Sequence, residues 1–361
     1  MKRSLLYLRK THHIFLQNIS EKAHELSSVG VSMCKNGTSD QKEIHFTSLV
    51  SRLCEVPVRI SKPAIPFGGC FTTASESQSN SQLVFVGLPD DEHSSYCRGC
   101  AKGPERIRYA YDGDCYNSTT ESGIDLADAV VDLGDWLPQS SWDLTAKSYY
   151  ENAQSLFRAG KIPFFAGGDH AVTIAIGKAL EVLGEPIHVV QIDAHPDLYP
   201  ELHGNPYSHA CVAARLIEFK HIASITQIGI RTMNRVQNQV AKEYSDRLHL
   251  MPARDLPEKL ESLPHIKEGA PVYLTIDLDG FDPAFAPGVS HPVPGGLSSR
   301  QVLNLIQGAR WRLVGMDVVE LNPEQDVNDQ TAILAARLLH EGMGYVMEQS
   351  FRSPVALQRD V

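Results

Sequence analysis

The chain has 361 residues, 42% of them hydrophobic and 21% charged, with a formal net charge of -10 at pH 7, enough for one large domain or two small ones. The acidic balance argues against nucleic acid, which calls for a basic surface, and no apolar run reaches the roughly 18 to 20 residues that cross a bilayer, so no membrane is expected either; the expected partner is a small polar ligand. Seven cysteines, an odd number scattered over the chain, do not make a secreted disulfide framework and point to a reducing compartment.

Residues 1–20 carry Lys2, Arg3, Arg9 and Lys10 and no acid, with Leu5, Leu6, Leu8, Phe15 and Leu16 interspersed. Two readings stay open: a mitochondrial transit peptide, which is basic, acid-poor and amphipathic, or the basic tail of a cytoplasmic protein. Residues 21–82 have little periodicity and end in the polar run Thr72 to Gln82, a composition typical of linkers. Residues 1–82 are therefore expected as an irregular N-terminal extension, 83–350 as the organised domain and 351–361 as a tail. The isolated pair Cys97-Arg-Gly-Cys100 lacks the second pair of a zinc site and reads as two unlinked thiols.

From residue 83, apolar runs of strand length alternate with helix-like segments. Expected strands are 83–88, 129–133, 162–166, 187–192, 224–230, 272–276 and 313–319; expected helices include 146–159, 172–183, 210–219 and 299–308. This alternation implies an α/β fold, three layers α/β/α around a mostly parallel sheet. In such sheets ligands sit beyond the carboxyl ends of the strands. The acid and histidine motifs all follow their apolar runs. Asp193, His195 and Asp197 stand at i, i+2 and i+4, a spacing that places them on one face of an extended segment. Asp277 and Asp279 repeat the device, and Gly167-Gly-Asp-His170 ends a third run. So much negative charge at strand ends repels itself unless cations are bound, which points to a metal cluster.

The segments Gly167-Gly-Asp-His170, Asp193-Ala-His-Pro-Asp197, Asp277-Leu-Asp-Gly-Phe-Asp-Pro283 and Val318-Val-Glu-Leu-Asn-Pro323 stand in the order and approximate spacing of the arginase/agmatinase (ureohydrolase) family. The chain resembles that family from about residue 83 to residue 350, and Gly87 to Asp91 and Gly103 to Arg108 look like its opening strand and first helix. The resemblance implies hydrolysis of a guanidino compound to urea and an amine by a binuclear metal centre. One ion would be held by His170, Asp193, Asp197 and Asp277, the other by Asp193, His195, Asp277 and Asp279, with Asp193 and Asp277 bridging. Four carboxylates and two imidazoles without a thiolate suit manganese, with nickel or cobalt as alternatives and zinc less favoured.

By the same resemblance Glu320 binds the guanidinium, a role that needs a carboxylate accepting paired N–H donors. His209 shuttles the proton to the leaving amine, with His203 as the competing residue of that loop. His291 and Tyr199 are candidate substrate-binding residues; their surroundings look like plant-type arginases. Glu201 and Arg98 are further rim candidates, and Asp169 and Asp282 are expected to hold turns or hydrogen bonds behind the ligands. The residues do not choose between L-arginine, slightly preferred, and agmatine or another guanidino compound. A metal-dependent deacetylase shares the fold type but normally works with one metal. A catalytically silent subunit would have lost a ligand, and none is missing. Family members usually form trimers or hexamers, so a homo-oligomer is implied.

Overall fold

The computed structural model describes residues 59–68, 81–112, 117–260 and 263–352. The basic segment 1–20 and the tail beyond residue 352 lie outside the described residues. The strands are β1 (Arg59–Ser61), β2 (Leu83–Leu88), β3 (Val130–Leu137), β4 (Ile162–Gly167), β5 (Ile187–Ile192), β6 (Ile222–Ile230), β7 (Leu248–Pro252), β8 (Pro271–Asp277) and β9 (Arg312–Val319). The α-helices are α1 (Gly103–Tyr109), α2 (Trp142–Arg158), α3 (Val172–Ala179), α4 (Val212–Leu216), α5 (Arg235–Glu243), α6 (Ser299–Gly308) and α7 (Gln330–Arg352). Among the described residues, no helix is long and apolar enough to cross a membrane.

The strands form one sheet in the order β1-β3-β2-β4-β9-β8-β5-β6-β7. Every pairing is parallel except that of β1 with β3. Successive strand residues point to opposite faces, and here both faces are covered. In β2, Leu83 and Phe85 join the core beneath α1, α6 and α7, whereas Val84, Val86 and Leu88 join the core beneath α2, α3 and α4. Burial on both faces is why these strands read as unbroken apolar runs. α6 starts at a capping box in which Ser298 and Gln301 satisfy each other's backbone N–H groups.

Part of the expected extension belongs to the sheet. Arg59–Ser61 is its antiparallel edge strand, and Phe67 is buried, its ring stacked 4.4 Å from that of Phe85. A three-residue edge strand leaves too little pattern for the sequence to announce it. The edge strand β7 and the helices α5 and α7 also fall outside the expected elements.

The strand order positions the site. β4, β9, β8 and β5 are neighbours, so their carboxyl ends bring together residues 167–170, 320, 277 and 193, which are far apart in sequence.

Candidate active site

The chain leaves three of these strands, and the neighbouring β2, through a similar local device. Asp193, the first residue after β5, accepts at Oδ1 from the His195 N–H at 2.6 Å, and Asp277, the last of β8, accepts at Oδ1 from the Asp279 N–H at 2.8 Å. Asp169 after β4 and Asp90 after β2 accept in the same way from Ala171 and Glu92. These are Asx turns, in which the side chain replaces the next strand hydrogen bond. Asp193, His195 and Asp197 thus do not converge by strand alternation, as the spacing suggested: β5 has ended at Ile192, and Asp197 lies at φ 47°. The turn performs the convergence instead.

His170, Asp193 and Asp197 each place a ligand atom within 4.8 Å of the others, and Asp193, His195 and Asp279 form a second such set, with Asp193 common to both. His170 Nδ1 lies 3.3 Å from Asp193 Oδ2, 3.1 Å from Asp197 Oδ2 and 3.3 Å from Asp277 Oδ2. Among the described residues it makes no well-aligned hydrogen bond to any of them, and although burial opposes the charge, these carboxylates hold the imidazole well above the ordinary histidine range. The other ring nitrogen, Nε2, is 3.0 Å from Thr275 Oγ1, whose own hydrogen goes to Asp317 Oδ1 at 2.5 Å. Thr275 therefore accepts from Nε2–H and fixes the ring so that Nδ1 points among three carboxylates. An imidazole nitrogen and three carboxylate oxygens facing one point suit a cation.

Electrostatics agree. Burial, reinforced by Asp197 and Asp279, pushes Asp193 up to about 7, and burial with Asp279 and Asp193 holds Asp277 well above the carboxylate range. At His195, burial opposes charge but Asp279, 2.9 Å away, outweighs it and draws the imidazole up to about 10. These shifts mark a cluster whose buried negative charge calls for a compensating cation.

Glu320 follows β9 at φ 65°, and its N–H donates to Gly168 O at 2.8 Å. Gly168 is required there: a Cβ would lie 1.8 Å from Asp90 O. The Glu320 carboxylate accepts at Oε1 from the His170 N–H at 2.9 Å and pairs with His209 Nδ1 at 2.8 Å. Burial disfavours the charged imidazole, but Glu320 and then Asp169 outweigh it, raising His209 to about 9. Ser95 meets His209 Nε2 through Oγ at 2.9 Å and through its N–H at 3.2 Å. The hydroxyl can accept from a protonated Nε2, whereas the backbone N–H needs Nε2 as acceptor, so the ring sits where Nε2 can gain and lose a proton.

His291 lies at the mouth, its ring 5.2 Å from that of His209, 6.1 Å from His195 and 5.6 Å from Tyr96. Burial, then His209, lowers its pKa, so it faces the site as a neutral imidazole. Tyr199 turns its hydroxyl to Asn234. His203 and Glu201 are exposed on the loop, and Arg98 donates to Glu92 O at 2.7 Å. Asp169 accepts from the His93 N–H at 2.8 Å and so pins the segment after β2 to the site. Asp282 accepts from the N–H groups of Ala284, Gly295 and Gly296, a turn anchor.

Sequence reasoning missed Thr275, Asp317 and Gln191, whose Nε2 donates to Asp193 Oδ2 at 2.7 Å. Each is a fully buried polar residue inside an apolar strand run, and that anomaly is the signal that could have found them. It also missed Ser95, Cys100, Ser290 and Asn322 around Glu320, which carry no such mark.

A model of the Arginase family matches residues 81–344. The chain is 38% identical over 270 residues to the mitochondrial arginase of Medicago truncatula, covering 71% of this chain and 79% of that protein. To an agmatinase of Bacillus anthracis it is 31% identical over 279 residues, covering 76% and 95%. Among solved structures it is similar to the agmatine ureohydrolase of Thermoplasma volcanium, with a TM-score of 0.69 at 30% identity, covering 80% of this chain and 96% of that one.

Proposed function

We propose a function from one premise: the chain belongs to the arginase family, whose members are hydrolases acting on guanidino C–N bonds. It is an enzyme of that class. Within it, we infer that the substrate is L-arginine, cleaved to ornithine and urea; the 38% identity to a plant arginase and the plant-type sequence around His291 support this. Agmatine is the second reading, supported by the agmatinase and agmatine ureohydrolase relatives.

The observation that carries the reading is the placement of Glu320: its carboxylate is one hydrogen bond, 2.9 Å, from the backbone of His170 at the acid cluster. A guanidinium on Glu320 would stand beside that cluster. In our reading His170, Asp193, Asp197 and Asp277 hold one divalent ion and Asp193, His195, Asp277 and Asp279 the other, manganese being the ion that this oxygen and imidazole set suits best. When bound, such ions supply Lewis acidity and a water of lowered pKa.

The chain's own residues do the rest. Glu320 accepts paired N–H donors and fixes the guanidinium plane. A full two-pronged grip requires the guanidinium to replace His209 on Oε1, which releases a protonated imidazole beside the reacting group. That imidazole then gives its proton to the departing amine. Neutral His291, half-buried at the mouth, closes the pocket without adding positive charge against a cationic substrate.

A mitochondrial location is supported by the plant relatives and by the basic residues 1–20, and homo-oligomerisation into trimers or hexamers by the family resemblance. The decisive test of the substrate is urea release by the manganese-loaded full chain from arginine, agmatine, guanidinobutyrate and guanidine. We expect the highest kcat/KM with arginine. A higher value with agmatine transfers the assignment to agmatinase, and no urea from any of them overturns both readings.

A further inference from the structure

The Cys97-Arg-Gly-Cys100 segment has no place in the reaction so far, yet it abuts Glu320. Among the described residues, Oε1 of Glu320 meets the His170 N–H and His209, while Oε2 meets Cys100 Sγ at 3.4 Å. Cys100 is fully buried, and its thiol also lies 3.7 Å from Ser290 Oγ.

The surrounding hydrogen bonds decide where the thiol hydrogen goes. Asn322 Nδ2 donates to Cys97 O at 2.9 Å and to Ser290 Oγ at 3.0 Å. The Ser290 hydroxyl spends its hydrogen on Cys97 O at 2.7 Å. Cys100 is then left as donor, with a neutral hydroxyl and a carboxylate before it, and the carboxylate is the stronger acceptor. Burial, then the neighbouring Glu320 charge, raises the thiol pKa well above its ordinary value, so the hydrogen is present. Gly99 makes the fit possible. It lies at φ 152°, and a Cβ there would sit 2.3 Å from Asn322 Oδ1.

We propose that Cys100 is a positioning residue for guanidinium recognition: its S–H holds Oε2 of Glu320 and so sets the plane in which the carboxylate receives the substrate. This rests on the reading of Glu320 as the guanidinium partner. A thiol suits the task because it is small and a weak donor. It orients the carboxylate without neutralising it, and it leaves a lone pair of Oε2 for the substrate. A lysine or arginine in its place would cancel the charge that the guanidinium seeks.

The test uses the manganese-loaded full chain. Cys100→Ala is expected to raise KM for the hydrolysed substrate about three- to ten-fold with kcat within about twofold, the scale of one weak hydrogen bond to a charged group. Cys100→Ser, which keeps a donor on the same carbon, is expected to return KM to within about twofold of the parent. Metal content and melting temperature of both variants should match the parent. An unchanged KM in Cys100→Ala, or equal impairment of the alanine and serine variants, overturns the proposal. Guanidinium chloride titrated calorimetrically into the same proteins separates this from failure of the underlying reading. If the parent releases no urea, the hydrolase reading fails, but guanidinium binding weakened in Cys100→Ala and restored in Cys100→Ser still supports the positioning role. Equal binding to all three contradicts it.

Discussion

The two halves of the site are built on opposite plans. The acid cluster draws on short motifs, with Asp193, His195 and Asp197 in one turn and Asp277 and Asp279 in another, each folded by its own Asx hydrogen bond. The Glu320 half is assembled from distant loops: Ser95 and Cys100 after β2, His209 after β5, Ser290 after β8, and Glu320 and Asn322 after β9. Local turns can preform a cluster of like charges because each acid is fixed by its own backbone. The Glu320 carboxylate is held from several directions at once, so its half takes contacts from several loops. The two halves should therefore fail differently.

The largest effect should come from Asp193→Ala, which removes the side chain common to both candidate ligand sets. Urea release is expected to fall by about a thousandfold or more, the several kcal/mol that metal assistance supplies, and metal analysis should find the ions lost. Glu320→Gln should separate the halves: kcat/KM falls about a hundredfold through the lost charge-assisted bonds, while metal content stays at the parental level. Metal loss in that variant would mean that the halves are one unit.

Thr275→Val probes support rather than contact. It removes the partner of His170 Nε2, and metal affinity measured by competition with a chelator should weaken about ten- to a hundredfold, with KM unchanged at saturating metal. The smallest effect concerns His209, raised from its ordinary 6.5 to about 9 in the folded metal-free protein. A raised pKa stabilises the fold fully below the unfolded value and ceases to do so as pH rises through about 9. The melting temperature of the metal-free parent should exceed that of His209→Asn by about 2–4 °C near pH 6, and the gap should close near pH 10. A gap independent of pH would place the effect in packing instead of the Glu320 pair.

The same contrast governs what the sequence makes legible. The strands Leu83–Leu88 and Ile187–Ile192 and the helix Ser299–Gly308 fall at their expected bounds, because doubly buried strands are unbroken apolar runs and the helix carries Ser298 and Gln301 as its box. β1 is three residues long, and β7 is a five-residue edge strand, Leu-His-Leu-Met-Pro; neither has room for a period. The strand order joins the acid motifs to one another, but within each motif spacing along the chain is nearly spacing in space. Around Glu320 it is not: Cys100 and Glu320 are 220 positions apart, and only the strand order brings β9 beside β4. Asp317 lies between these cases. A carboxylate inside an apolar strand is visible in the sequence, but its three partners, Thr173, Tyr273 and Thr275, are visible only in the fold.

Whether the acid cluster is a two-ion centre is decided by counting manganese per chain by mass spectrometry after loading and exhaustive dialysis of the full-length protein. Close to two ions per chain are expected in the parent and in Glu320→Gln, with a marked loss in Asp193→Ala. A parent that retains fewer than one ion per chain at neutral pH would contradict the two-ion reading.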